Sequence, residues 1–260
     1  MRANLLELYQ ARELLYMWTR REVLARYKQS MLGAGWAILQ PLAMMLVYVV
    51  VFTTIVKVDT GGIPYPIFAY TALVPWTFFS SAISTGVPSL VTNMGLVTKI
   101  YFPREVLPMA NIGARLVDFL WASLLLVAML ILYHAPLTLN LLWLPLLLLI
   151  QIVLTVGVVL FAAALNVSYR DVGQLIPLIV QIWLYASPVI YSVESVPVQY
   201  QTLYYLNPMA GLIGGYRSVL LLGQPPDATG LVLATIVSLI ACVIGYVYFK
   251  KVESTFADII

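Results

Sequence analysis

Between Lys28 and Lys57 the chain runs for 28 residues without a charge. A helix of ~20 apolar residues is enough to cross the hydrocarbon core of a bilayer. This one gap therefore places the chain in a membrane. The rest of the sequence agrees, with 62% of residues hydrophobic and only 10% charged, against ~25% charged in a typical soluble domain. Nearly every element must face lipid or another membrane helix. The fold class expected is an all-α integral membrane protein.

Charge gaps delimit the elements. The runs 31–56, 67–92, 107–132, 141–165, 173–191 and 229–249 predict six transmembrane helices. Short connections separate them: Asp59–Pro66, the charged loop Lys99–Glu105, His134–Asn140, and a turn at Arg170 and Asp171. The segment 192–228 is different, broken by Pro197, Pro208, Pro225 and Pro226. Its apolar pieces, 196–206 and 209–222, are too short to cross comfortably, and runs of ~10–14 apolar residues more often make re-entrant or interfacial elements. Two short re-entrant helices on the outer side are expected before the last span, with two extra tilted spans as the alternative. The whole chain, 1–260, reads as a single transmembrane domain.

Charge placement orients it. With six spans, eleven Lys and Arg fall on one side: those of the amino-terminal segment, Lys99, Arg104, Arg170, Lys250 and Lys251. Only Lys57 and Arg217 fall on the other. Cationic loops stay in the cytoplasm, so both termini are expected there. The amino-terminal segment, 1–30, mixes Leu, Tyr, Trp and Met with Arg and Glu, which suits a helix lying in the cytoplasmic interface. Its nine charges and the long apolar run behind them do not make a signal peptide, so the first span is read as an anchor.

The chemistry missing from the chain narrows the function. No Lys is followed by Ser or Thr, so no Gly-Lys-Ser/Thr phosphate-binding loop is present. The only charges inside a span are Arg115 and Asp118, three residues apart on one helix, where they neutralise each other. One cysteine, Cys242, and one histidine, His134, offer no metal-ligand set. The five aspartates are scattered, without an Asp-x-Asp pair. No catalytic residue, no metal and no nucleic-acid partner is expected. The chain reads as a conduit whose motor lies in another chain.

Several motifs then fall in a familiar order. Arg26-Tyr27-Lys28-Gln29-Ser30, followed by Gly33, Trp36 and Pro41, resembles the entry to the first span of ATP-binding-cassette permeases that export lipid-linked polysaccharides. These are the O-antigen, capsule and teichoic-acid exporters. Lys99 with Tyr101-Phe102-Pro103-Arg104-Glu105 resembles their first cytoplasmic loop. Leu165-Asn166-Val167 with Tyr169-Arg170-Asp171 resembles the second, and Tyr204-Tyr205-Leu206-Asn207-Pro208-Met209 the outer re-entrant region. Phe256-Ala257-Asp258 fits the tail. The resemblance spans nearly the whole chain. It implies six spans per subunit and a homodimer with a channel between the subunits. It also implies two copies of a separate cytoplasmic ATPase holding ATP and Mg, an undecaprenyl-type lipid anchor on the substrate, and a bacterial cytoplasmic (inner) membrane location. Related exporters of small amphipathic drugs or lipids, and a polyprenyl-lipid enzyme, are the alternatives.

Candidate sites follow from the residues and the resemblance together. Arg26 and Lys28 would meet acidic headgroups, and at a cytoplasmic gate a lipid phosphate, which Arg clamps in bidentate fashion. Lys99, Tyr101, Arg104 and Glu105 would couple to the ATPase; a positive-inside anchor is the plainer reading of the same loop. Asp171 would cap the fifth span, where negative charge suits a helix amino terminus. Gln174, Gln181 and Tyr185 share one stripe of that span. They would line a sugar path with Trp76, or else bond helix to helix, as Ser80, Ser84, Gln151 and Thr155 would. Tyr191, Tyr200, Tyr204, Tyr205 and Tyr216 would form an aromatic collar at the exit, joined by Tyr65, Tyr70, Trp76, Phe78 and Phe79, or serve as interfacial anchors.

Overall fold

The computed structural model describes residues 10–28, 30–56, 58–99 and 102–256. Tyr101, Lys57, Ala257 and Asp258 lie outside them. The described residues form helices and connections, without a strand. Helix α1 (Arg12–Tyr27) has no buried residue and lies along the side of a later span. The chain then turns at Gly33, whose φ of 51° is the left-handed conformation a glycine adopts without strain. Helix α2 (Gly35–Val49) starts there and ends in a π turn, Val50–Ile55. Next come α3 (Tyr65–Gly86), the one-turn helices α4 (Ser89–Thr92) and α5 (Met94–Val97), and α6 (Val106–Leu132). A 3-10 turn, Leu139–Trp143, leads into α7 (Leu144–Ser168). The chain ends with α8 (Asp171–Tyr185), α9 (Val198–Tyr204), α10 (Pro208–Leu221) and α11 (Ala228–Val252).

Five of these helices, α2 with its π turn, α3, α6, α7 with its 3-10 turn, and α11, are long and apolar enough to cross a membrane. Helix α3 sits at the centre. Tyr65, Tyr70, Phe78 and Phe79 are all buried on it, so these four pack the core instead of lining an exit collar. Helices α7 and α11 make the tightest contact. A Cβ on Gly157 would lie 2.4 Å from the backbone of Ala241 and Cys242. A Cβ on Gly245 would lie 2.1 Å from the Gly157 carbonyl oxygen. In lipid, where apolar side chains gain nothing by leaving water, such small-residue approach is what holds helices together. Gln151 joins the same core. Its amide donates to the Pro75 carbonyl at 2.7 Å and its oxygen accepts from the Tyr216 hydroxyl at 3.0 Å. Both Gln151 and Thr155 are fully buried; Gln151 bonds helix to helix, while Thr155 donates to the Gln151 carbonyl of its own helix at 2.7 Å.

The expected span 173–191 is shorter as a helix. Helix α8 stops at Tyr185, so its 15 residues reach ~22 Å at ~1.5 Å per residue. Pro188 has no N–H to continue the helix. Residues 186–191 run on as a turn, with 187–190 buried. Buried non-helical backbone must have its carbonyls satisfied by protein, and they are. Arg217 donates to the carbonyls of Pro188 (2.6 Å), Val189 (2.8 Å) and Tyr191 (2.9 Å). Tyr65 donates to Ile190 at 3.0 Å and Asn207 to Ala186 at 2.9 Å. The sequence placed Arg217 among outer loop cations. It is instead buried within α10, stacked on the Phe68 ring 3.5 Å from its centroid. Twelve of the fourteen residues of α10 are buried, so this helix is enclosed by protein.

The start of α8 also differs from expectation. Asp171 lies in its first turn, where its charge suits the helix dipole, but it makes no capping bond. The cap comes from Asn166, at the end of the preceding helix, whose side-chain oxygen accepts the Gly173 N–H at 2.7 Å.

Candidate functional site

Three helices interrupted by proline, α2 at Pro41, α3 at Pro75 and α8 at Pro177, enclose an open groove of about 550 Å³. Each proline leaves the carbonyl one turn earlier without its helical donor. The groove collects Gln40, Tyr48, Trp76, Ser80, Ser84, Thr85, Gln181 and Tyr185. Amides and hydroxyls alternate there with aromatic faces, on walls that are otherwise apolar except for Ser81 and the Arg115 guanidinium. The serine and threonine hydroxyls bond their own helices, as Ser84 does to the Ser80 carbonyl at 2.8 Å. Gln181 and Tyr185 are exposed and without a hydrogen bond from the side chain, so their polar atoms face the groove. Of the residues expected on the sugar path, the structure brings Trp76, Gln181 and Tyr185 together. Trp76 contributes only an edge, since its ring is 5% exposed and packs on Phe79. Gln174 is exposed on the same helix but lies outside the groove lining. The sequence reading missed Gln40, Tyr48 and Thr85, although a lone glutamine in an otherwise apolar run was a signal.

Beside the groove lies a charged cavity of about 300 Å³. It shares Gln40, Ser81 and Arg115 with the groove. Asp118 on α6 is its centre. Its carboxylate accepts from the Arg26 guanidinium and the Tyr27 hydroxyl at the end of α1, and from Arg115 at 3.2 Å. Arg115 also donates to Thr85 at 3.3 Å. Burial and the neighbouring carboxylate push the Tyr27 phenol up to about 12, so it remains a donor at neutral pH. Arg115 and Asp118 do pair with each other, but they are not self-contained, because the pair recruits Arg26 from 92 positions away. Lys28 is exposed and does not line this cavity.

The loop expected to meet an ATPase is tied to the end of the last span. Glu105 is fully buried, with Lys250 Nζ 2.7 and 2.8 Å from its two carboxylate oxygens. The same ammonium lies 2.8 Å from Glu253. Burial raises the Glu105 carboxyl above its ordinary range, with the Lys250 hydrogen bond opposing. The Arg104 N–H donates to Glu253 at 3.1 Å and its guanidinium to the Glu253 carbonyl. Its guanidinium carbon lies 5.9 Å from the ring of Phe256, which is buried against Phe249. Glu105 is therefore an internal strut, and among the described coupling residues, Lys99, Arg104 and Glu105, only Lys99 stands exposed. Beside this corner an open cavity of about 550 Å³ is bounded by Phe102, Pro103, Arg104 and Ser254. Lys250 and Glu253 carried no sequence signal beyond their charge.

On the other side of the molecule the tyrosines divide. The Tyr191 and Tyr204 hydroxyls are 2.7 Å apart, and Tyr191 also donates to the Tyr185 carbonyl at 3.0 Å. Burial, then the Tyr191 hydroxyl, raise Tyr204 well above the usual phenol range. Tyr205 packs against Gly230, where an added Cβ would meet its ring at 2.9 Å. Tyr200 is exposed. The structure thus joins Tyr185, Tyr191 and Tyr204 in one hydrogen-bonded chain at the end of the groove. Asn207 braces it, accepting from Trp183 at 2.9 Å and from the Met209 N–H at 3.1 Å.

Residues 13–221 match the ABC-2 type transporter family. The chain belongs to that family. This ABC-2 chain is also 31% identical over 254 residues to the O-antigen export system permease protein RfbA of Myxococcus xanthus, covering 97% of both chains. It is 29% identical over 249 residues to the protein of the same name from Klebsiella pneumoniae, covering 95% of each. The polysialic acid transport protein KpsM of Escherichia coli is 26% identical over 239 residues, 90% of this chain and 91% of that one. With its apolar helices, the ABC-2 chain is a multi-pass membrane protein.

Proposed function

We propose that this chain is the membrane subunit of an exporter that carries a lipid-linked polysaccharide across the bacterial cytoplasmic membrane. Two copies would enclose the channel, with α8 and its buried turn completing a sixth span and α9 and α10 forming a re-entrant outer segment. Both termini would be cytoplasmic. A separate pair of ATPase chains would hold ATP and Mg and dock near Lys99 and the Arg104 corner. The carrier lipid would be an undecaprenyl type.

One observation carries this reading: the groove of α2, α3 and α8 offers amides, hydroxyls and aromatic faces but no carboxylate. A glycan presents hydroxyls and flat C–H faces, which such a wall receives without fixing them tightly. The relatives named for O-antigen export and polysialic acid transport support the same substrate class. The test is complementation of a host whose own copy is deleted. Gln181→Leu with Tyr185→Ala should lower surface polysaccharide without lowering the membrane level of the chain or its co-purification with the ATPase. Undiminished surface polysaccharide in the double variant would remove the groove from the path.

A further inference from the structure

Arg217 carries a full charge where the backbone asks only for donors. It is 7% exposed. A guanidinium offers five N–H groups, and those of Arg217 go to the carbonyls of Phe68, Pro188, Val189 and Tyr191. None goes to a carboxylate: among the described residues Arg217 makes no ion pair. Glu194 and Asp227 share an outer cavity of about 350 Å³ with it, but both are exposed, where water and salt screen them. The carbonyls satisfy the hydrogen bonds and leave the net charge in place. The result is a fixed positive charge in a poorly screened interior.

That charge stands behind the tyrosine end of the groove. Arg217 holds the Tyr191 carbonyl at 2.9 Å. The hydroxyl of the same Tyr191 lies 2.7 Å from that of Tyr204 and donates to the Tyr185 carbonyl at 3.0 Å. One residue therefore separates the guanidinium from the hydroxyl chain at the groove's end. Hydrogen-bonded hydroxyls are a route for protons, and a groove that admits a glycan is wide enough for a hydrated cation. The charged side chain in the groove lining is Arg115, bonded to Thr85 near the close of α3, and the lining holds no carboxylate. A cation on this path meets positive charge at both ends and no opposite charge between them.

We propose that Arg217 is an ion barrier: its unpaired charge, together with a groove free of carboxylates, keeps protons and monovalent cations out of a path that passes a neutral or anionic glycan. The path itself rests on the export reading. An inside-negative membrane potential draws every cation inward, so a conduit of this width must be sealed against them. A fixed arginine is one of the electrostatic barriers by which pores exclude cations and protons. Its reach is sufficient. A unit charge ~10 Å away, at an effective dielectric of ~20, changes the occupancy of a monovalent ion roughly tenfold.

Arg217 also staples the 186–191 turn, so the variants must separate its charge from its donors. The full chain is reconstituted in liposomes without ATP or polysaccharide. Proton leak is followed with an entrapped pH dye, and K⁺ and Cl⁻ fluxes are measured in parallel. Arg217→Gln removes the charge and most donors; Arg217→Lys keeps the charge but cannot hold the carbonyls together. Both should leak more than the parent, but the K⁺-to-Cl⁻ flux ratio in Arg217→Gln should exceed that in Arg217→Lys by about tenfold. Gln181→Glu places a carboxylate in the groove on an exposed side chain outside the staple. It should raise K⁺ flux about tenfold over the parent with Cl⁻ flux and thermal unfolding unchanged, and it decides the matter where the Arg217 variants do not fold. Equal ratios in Arg217→Gln and Arg217→Lys overturn the proposal and leave Arg217 as a staple only. Parent-like K⁺ flux in Gln181→Glu overturns it as well. Because the fluxes are read without export, failure here leaves the groove reading standing on its own complementation assay.

Discussion

Replacing Lys250 by Met removes the one ammonium that serves two carboxylates, Glu105 and Glu253. Methionine keeps most of the apolar stem, so the loss is chiefly of charge. Glu105 is fully buried, and a buried carboxylate without its cation takes up a proton instead of staying charged. The cost is then bounded by the cost of protonation. With an ordinary value of 4.5 for that carboxyl, holding it neutral at pH 7 spans about 2.5 pH units at ~1.36 kcal/mol each, a ceiling near 3.4 kcal/mol. This falls within the ~3–5 kcal/mol typical of breaking a buried pair from one side. The sign with pH follows. A carboxyl whose folded value lies above its unfolded one binds an extra proton on folding, so stability is greatest below about 4.5 and is lost as pH rises through the folded value. The variant should therefore be at most ~3 kcal/mol less stable than the parent at pH 7 and at most ~1 kcal/mol less stable at pH 5.5. Glu105→Gln should cost less at pH 7, because Lys250 retains Glu253 2.8 Å away. The measurement is unfolding in mixed micelles titrated with dodecyl sulfate at both pH values. A deficit below ~1 kcal/mol at pH 7, or one that does not shrink with acid, would show that Glu105 is not the uncompensated group.

Three further outcomes follow from the packing. Gly157→Ala puts a Cβ 2.4 Å from the backbone of α11; it should cost at least ~2 kcal/mol by forcing the two helices apart, read as a lower unfolding midpoint in the same assay. Gln151→Leu removes one donor and one acceptor from the core and should cost ~1–3 kcal/mol, with Tyr216→Phe recovering part of the loss in the double variant. Arg217→Lys cannot span the carbonyls of Pro188, Val189 and Tyr191 together; at ~1–3 kcal/mol per unsatisfied buried group the 186–191 turn should loosen, seen as faster proteolysis there and a lower thermal midpoint. Parent-like resistance in that variant would contradict the stapling role of Arg217.

How much was legible in the sequence is clear from particular residues. The gap from Lys28 to Lys57 required a membrane helix whatever its neighbours, because hydrophobicity summed over ~20 residues is a property of the segment alone. The helical ends of the other long spans followed for the same reason, within a few residues except for α3, which stops at Gly86 where the charge gap predicted 92. Gln181 and Tyr185 were also readable, since the helical period puts them on one face before any packing is known. Arg217 was not. As a charge next to glycines and a proline it reads as a loop residue, and only the turn at 186–191, with its carbonyls needing donors, explains its burial. Glu105 was misread for a related cause: its partner Lys250 is 145 positions away, and an ion pair of that separation leaves no local pattern. Asn166 capping Gly173 and Arg26 joining Arg115 at Asp118 are the same kind of event. By itself the sequence determined the solvent, the helices and the order of the motifs, because each depends on residues close in the chain. The tertiary structure alone decided which charges are paired, which backbone is stapled and which polar faces meet in a groove, because a buried polar group is set by its partner and that partner is chosen by packing.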